Sequence, residues 1–164
     1  MDKKKKFTLG EVVVIVLVVS VLIALIIPLG LQISKSREHA RRINCNSNLK
    51  SIALALLMYS GDANGYFPIT PNGNNFEPLN TLEIINDSKV FGCPSVARSS
   101  SISRNADYRY GASGLLDDNE FAKMTTLGSD RSGNHPRNSW INAMFIDGHV
   151  EGSKPDGKRS WNSF

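Results

Sequence analysis

KKKKFTLGEVVVIVLVVSVLIALIIPLGLQI, residues 3–33, decides how this 164-residue chain is read. Four lysines lead into Phe7-Thr8-Leu9-Gly10, and Glu11 then stands at the mouth of an apolar run from Val12 to Leu31 broken only by Ser20, Pro28 and Gly30. A helix of about 20 residues rises roughly 30 Å, the thickness of a bilayer's hydrocarbon core. A lipid-embedded backbone must satisfy its own polar groups, which leaves a helix or a closed barrel. The run has no polar alternation, so a barrel strand is excluded and a membrane helix is expected. Lysines beside such a helix fit the positive-inside rule. A removable secretory signal is the competing expectation, but the run is long for one, and Ser34-Lys35-Ser36 is a poor cleavage site.

Working outward, bulk charge says little about partners. The chain carries 19 Lys and Arg against 15 Asp and Glu, a net +4. Removing residues 1–6 takes away four lysines and Asp2, leaving 15 against 14. The basic balance thus belongs to the leader, and nucleic acid is not an expected partner. Lys35, Arg37, Arg41 and Arg42 flank the other end of the run, partly offset by Glu38, so charge alone does not orient the helix. What remains is long enough for one modest soluble core.

The helix is expected to continue past the membrane. In SKSREHARRINCNSNLKSIALALLMYS (34–60), Cys45, Leu49, Ile52, Leu56 and Tyr59 fall on one face, with Ser47, Lys50 and Ser51 away from it. Pro28 and Gly30 would kink or loosen the helix. Gly61 is the expected stop, with a turn over 62–65. Beyond it the chain is loop-rich. A short helix is expected over 79–85, an extended piece over 90–94, a strand at Tyr108-Arg109-Tyr110, and polar irregular chain over 128–139. Two extended runs around Asp147-Gly148 predict a tight hairpin with a type I′ turn. The polar tail carries Trp161 and Phe164, which could dock on the domain.

These blocks together resemble a known family. A basic leader, FTLGE and a long apolar run are similar to the class III signal of type IV pilins and type II secretion pseudopilins. CNSNLKSIALALLMYSGDANGYFP (45–68), VFGCPS (90–95) and GNHPRNSWINAMFIDGHVEG (133–152) resemble a large bacterial subfamily of prepilin-like proteins. The resemblance covers Phe7 to about Gly152. It departs from the family at Lys6, where Gly is usual, and at Gly10, within what is usually FTLIE. The closing block also departs around His135.

The resemblance implies an α+β pilin-like fold, with a long N-terminal helix packed on a small antiparallel sheet. The implied segments are a leader 1–6, a transmembrane helix 7–33, its amphipathic continuation 34–60, a loop-rich soluble domain 61–152 and a tail 153–164. Prepilin peptidase would cut between Lys6 and Phe7 and methylate the new amine. Thr8, Glu11 and Pro28 would serve assembly, Glu11 by pairing with the amine of Phe7 in a neighbouring copy. The implied partners are other copies or related pseudopilins, the peptidase, an inner-membrane assembly platform and the lipid bilayer. The implied location is the bacterial inner membrane, single-pass, N-terminus cytoplasmic, domain outside. The alternative is a monomeric membrane-anchored extracytoplasmic binding module, with polysaccharide as its candidate ligand; Lys6 favours it.

With the domain outside, Cys45 and Cys93 sit in an oxidising compartment where a disulfide is allowed, though Cys45 also suits a small buried position. His135, Asp147 and His149 invite a metal reading, yet Asp147 is equally explained by turn chemistry, and no metal ligands are assigned. Calcium is considered because some major pseudopilins bind it; Asp62, Asn64, Asp117 and Asp118 offer oxygens without EF-hand spacing. Tyr108, Tyr110, Trp140 and Trp161 could form a carbohydrate platform, with core packing the better use. The chain has no Gly-x-Ser-x-Gly, phosphate loop or HExxH, so an enzyme is not expected and no cofactor is implied.

Overall fold

A computed structural model describes residues 8–70, 75–96, 106–118 and 120–155, with side chains 28–32 left aside. Lys6, Phe7, Trp161, Phe164 and most of the Ser/Arg-rich stretch after Arg98 lie outside the described residues. Helix α1 (Leu9–Asp62) is followed by α2 (Glu77–Thr81) and strands β1 (Tyr108–Tyr110), β2 (Thr126–Asp130), β3 (Ile141–Phe145) and β4 (Val150–Ser153). The fold is α+β. The chain divides into two units, residues 1–37 and 38–164.

In the first unit α1 is bare. Leu9–Ile27 is long and apolar enough to cross a membrane, and every residue in it is exposed. Its backbone stays helical through Pro28.

In the second unit the strands form one antiparallel sheet in the order β1-β2-β3-β4. The later part of α1 packs Cys45, Leu49, Ile52, Ala53 and Leu56 into the core, while Ser47, Lys50 and Ser51 stay exposed and Tyr59 is half-buried. Against this stripe lie Phe67, Phe76, Leu79, Phe91, Tyr108, Tyr110, Leu127, Met144 and Ile146. Phe76 sits between Phe91 and Tyr110, with ring centroids 5.7 and 5.6 Å away. Burial on this scale, about 1.5–3 kcal/mol per large side chain, is the main force holding the domain together. A second cluster, Ile141, Ala143 and Phe145, involves alternate residues of β3. Tyr108 and Tyr110 are fully buried, donating to the carbonyls of Gly92 (3.1 Å) and Pro68 (2.9 Å), so neither belongs to a surface platform.

Several local expectations need correction. Helix α1 does not stop at Gly61, which is still helical. Asn64 takes the left-handed conformation (φ 53°), and Gly65 N–H donates to Ser60 C=O at 2.8 Å, the six-to-one bond of a Schellman cap. Residues 88–91 form a 3-10 turn rather than an extended piece, because the Asp87 carboxylate caps Lys89 N–H at 2.9 Å. Residues 128–130 belong to the buried strand β2. Gly128 allows this: a side chain there would meet the Arg109 carbonyl and bring a Cβ within 2.6 Å of Met144 Cε.

The turn joining β3 to β4 also differs. Gly148 has φ 79° and Asp147 does not have positive φ, whereas a type I′ turn requires both. Gly148 N–H donates to Phe145 C=O (2.9 Å) and Phe145 N–H to His149 C=O (3.0 Å). This is a three-residue loop with a glycine bulge, which matches the strands' twist differently from the two-residue turn. The short helix of the expected 79–85 region begins earlier, at Glu77, led by Pro78.

Candidate functional site

Two constellations carry polar chemistry, one in each unit. The first is the start of α1. Thr8 precedes the helix and its N–H and Oγ1 both donate to Glu11 Oε2, at 2.8 and 3.0 Å. Glu11 N–H donates back to Thr8 Oγ1 at 3.4 Å. Thr-x-x-Glu is thus a reciprocal capping box, satisfying donors that a helix start leaves open. The spacing was available in the sequence, but a carboxylate before an apolar run draws attention to charge instead. Glu11 is exposed on a helix with no cover.

The second constellation is buried in the domain. Cys45 and Cys93 form a disulfide, Cα atoms 5.4 Å apart, that fastens α1 to the loop after the 3-10 turn. Beside it, His135 is fully buried between two carboxylates. Its Nδ1 lies 2.8 Å from Glu38 Oε1 and its Nε2 lies 3.2 Å from Asp130 Oδ2. Helix α1 supplies Glu38, the end of β2 supplies Asp130, and Pro136 fixes the chain just after His135. Ser95 Oγ lies within 3.2 Å of both Glu38 and His135. Asp130 Oδ2 also accepts from Asn142 N–H (2.8 Å) and Nδ2 (2.9 Å), while its Oδ1 is buried without a partner among the described residues.

Burial alone would push the His135 pKa down. The hydrogen bonds to Asp130 and Glu38, with their negative charges, outweigh it and hold the imidazole above its ordinary value. Both ring nitrogens then donate, as only the imidazolium can. Arg42 completes the balance: Nε is 3.5 Å from Glu38, a terminal nitrogen donates to Ser139 Oγ at 2.7 Å, and the guanidinium lies 5.1 Å from the Trp140 ring. Glu38 thus faces His135 and Arg42, with the more exposed Arg41 at 4.0 Å, and Asp130 faces His135.

The residues singled out from sequence separate on folding. His135 goes to Glu38 and Asp130, not to His149 and Asp147. Those two pair with each other in the hairpin, where His149 N–H and Nδ1 both reach Asp147 Oδ1. Burial works against the charged form of Asp147, but the contacts from His149 and the charge of Lys123 prevail and lower its pKa. The turn docks on α1: Lys50 Nζ donates to Gly148 C=O, and a side chain at Gly148 would stand 2.9 Å from Leu57. Of the oxygens weighed for calcium, Asp117 Oδ2 is 2.8 Å from Ser60 Oγ and Asp117 N–H donates to Gly65 C=O, so it fastens the end of α1. Glu38 and Asp130 carried no sequence signal, lying 97 and five residues from His135.

The model of a family described as "Protein of unknown function (DUF1559)" matches residues 34–83. That stretch holds the later part of α1, Glu38 and Cys45. No curated protein and no solved structure matches the chain.

Proposed function

We propose that the chain is a prepilin-like structural subunit, a pseudopilin of a type II secretion-like or type IV pilus-like filament. The supporting observation is the exposed apolar stretch Leu9–Ile27 of α1, whose first turn holds a single carboxylate. In this reading lipid covers Leu9–Ile27 before assembly and the helices of other copies cover it afterwards. Cleavage before Phe7 frees an amine, and Glu11 of a neighbouring copy neutralises it, setting the axial register within an apolar bundle. The capping box lies wholly after the cut, so processing leaves the helix start intact. The family match over 34–83 overlaps the 45–68 block that carries the resemblance. The chain resides in the inner membrane with its domain outside, and its role is assembly rather than catalysis.

A second reading, a monomeric anchored binding module, gains from one observation. The capping box gives Glu11 a use in a plain anchor, because its carboxylate is already bonded to Thr8. Glu11→Gln separates the two. Glutamine serves a capping box but carries no charge. The filament reading expects Glu11→Gln to insert normally and fail to enter filaments; normal incorporation overturns the charge-pairing role. Cysteines introduced between Val12 and Ile27 should crosslink into ladders for a filament and remain monomeric for an anchor. The intact mass of the native protein tests the processing step, with a chain starting at N-methylated Phe7 expected and retention of Lys6 speaking for the anchor.

A further inference from the structure

Two sulfurs and an imidazole meet inside the domain. Ligand atoms of Cys45, Cys93 and His135 lie within 4.8 Å of one another, and all three residues are buried. We propose that the dithiol form of this domain is a divalent-metal site of the zinc class, held by both sulfurs and one ring nitrogen of His135, and that metal and disulfide are alternative states of one site.

The donor set is the first reason. Two thiolates and an imidazole select zinc-like ions over calcium or magnesium, and three protein ligands leave a fourth position for water. Spacing is the second. Zinc–sulfur bonds of about 2.3 Å and zinc–nitrogen bonds of about 2.0 Å place tetrahedral ligand atoms roughly 3.5–4 Å apart. The observed convergence therefore needs side-chain rotation after the S–S bond opens, not a refolded backbone. The surroundings of His135 are the third. Each ring nitrogen has its own carboxylate, Glu38 at 2.8 Å and Asp130 at 3.2 Å. A metal on one nitrogen displaces one carboxylate and leaves the other to accept the remaining N–H, the outer-shell arrangement that fixes a metal-bound histidine's tautomer.

The conversion balances. Loading releases one proton from each thiol and one from the imidazolium, and the metal takes the freed electron pairs. Unloading requires a two-electron oxidant, supplied by an external disulfide. One cysteine thiolate attacks it to form a mixed disulfide and the second displaces that, leaving the Cys45–Cys93 bond, two external thiolates and a released metal ion. The metal site does not depend on filament assembly.

The test uses the full chain in detergent micelles, reduced and kept anaerobic, titrated with Co²⁺ and then Zn²⁺. Expected are one equivalent of cobalt, tetrahedral d–d absorption with thiolate-to-cobalt charge transfer, and displacement by zinc. The disulfide form should give neither band. Competition with a chromophoric chelator should show affinity falling about tenfold or more in whichever of Glu38→Gln and Asp130→Asn removes the carboxylate that holds the remaining N–H, and further in His135→Ala, with His149→Ala unchanged. Absence of charge transfer in the reduced wild type, its undiminished persistence in Cys45→Ser, or loss in His149→Ala alone each overturns the site. The cobalt spectrum is read on the unaltered chain, so the site stays testable even where a variant does not fold.

Discussion

His135 gives the sharpest residue-scale expectation. Its folded pKa is raised, while the unfolded imidazole titrates near 6.5. Below about pH 6.5 both states hold the proton and the charged cluster contributes in full. As pH rises from there through the raised folded value, the folded state holds a proton that the unfolded chain has released, and stability falls by up to about 1.4 kcal/mol per pH unit. Urea midpoints from pH 5.5 to 9 should show this decline in wild type and lose it in His135→Asn. At pH 6, His135→Ala should cost about 3–5 kcal/mol by leaving the buried Asp130 carboxylate without a cation, while Glu38 keeps Arg42. Asp147 works in the opposite direction: its lowered pKa adds stability that is present above the unfolded value and fades as pH falls through the folded one. Among the residue roles, the Thr8–Glu11 box was written in the sequence as a four-residue pattern, whereas the His135 cluster was not. Its members come together only through the pairing of β2 and β3 and the docking of α1.

At the scale of elements, what could be read was what has a period. The stripe of Cys45, Leu49, Ile52 and Leu56 repeats as a helix face, and all four are buried. The β3–β4 hairpin announced itself through apolar runs around Asp-Gly. Boundaries and turn types depend on single backbone conformations, so they were legible only in outline. Asn64, not Gly61, adopts the left-handed residue of the α1 cap. Asn64→Gly is expected to be neutral or mildly stabilising, and Asn64→Val to cost roughly 1–2 kcal/mol, checked by thermal unfolding. Strand β2 escaped notice because its apolar content is slight, Thr-Leu-Gly-Ser-Asp, and its burial comes from neighbours on either side. Gly128→Ala should destabilise by about 3 kcal/mol or more, since the Cβ would strike the fixed Arg109 carbonyl. A loss smaller than about 0.5 kcal/mol, the spread of neutral surface changes, would contradict that packing.

The whole molecule depends on one covalent tie. The disulfide spans a sequence separation of 48 residues, and closing such a loop stabilises by roughly 4 kcal/mol in the chain-entropy model. Reduction, or a paired Cys45→Ala and Cys93→Ala change, should lower the denaturant midpoint of the domain accordingly, and an unchanged midpoint would mean that the apolar stripe suffices alone. The long leading helix followed from residues 3–60, where hydropathy speaks plainly, whereas the α+β class was what the resemblance implied. The loops between α1 and β1 gave no comparable signal, because their aromatic residues are scattered and Phe76 finds Phe91 and Tyr110 only in the finished core.

The Glu38–His135 bond also has a meaning for the order of events during synthesis. Its partners are 97 residues apart, and the Lys50–Gly148 contact spans 98. At a ribosomal pace of about 5–20 residues per second, Glu38 waits several seconds for its histidine, and Lys50 a similar time for the turn it holds. The apolar segment has meanwhile left the ribosome. The apolar segment therefore emerges well before the domain can close, and the later part of α1, whose disulfide partner Cys93 emerges earlier, gains these two contacts only once residues 135–148 are made.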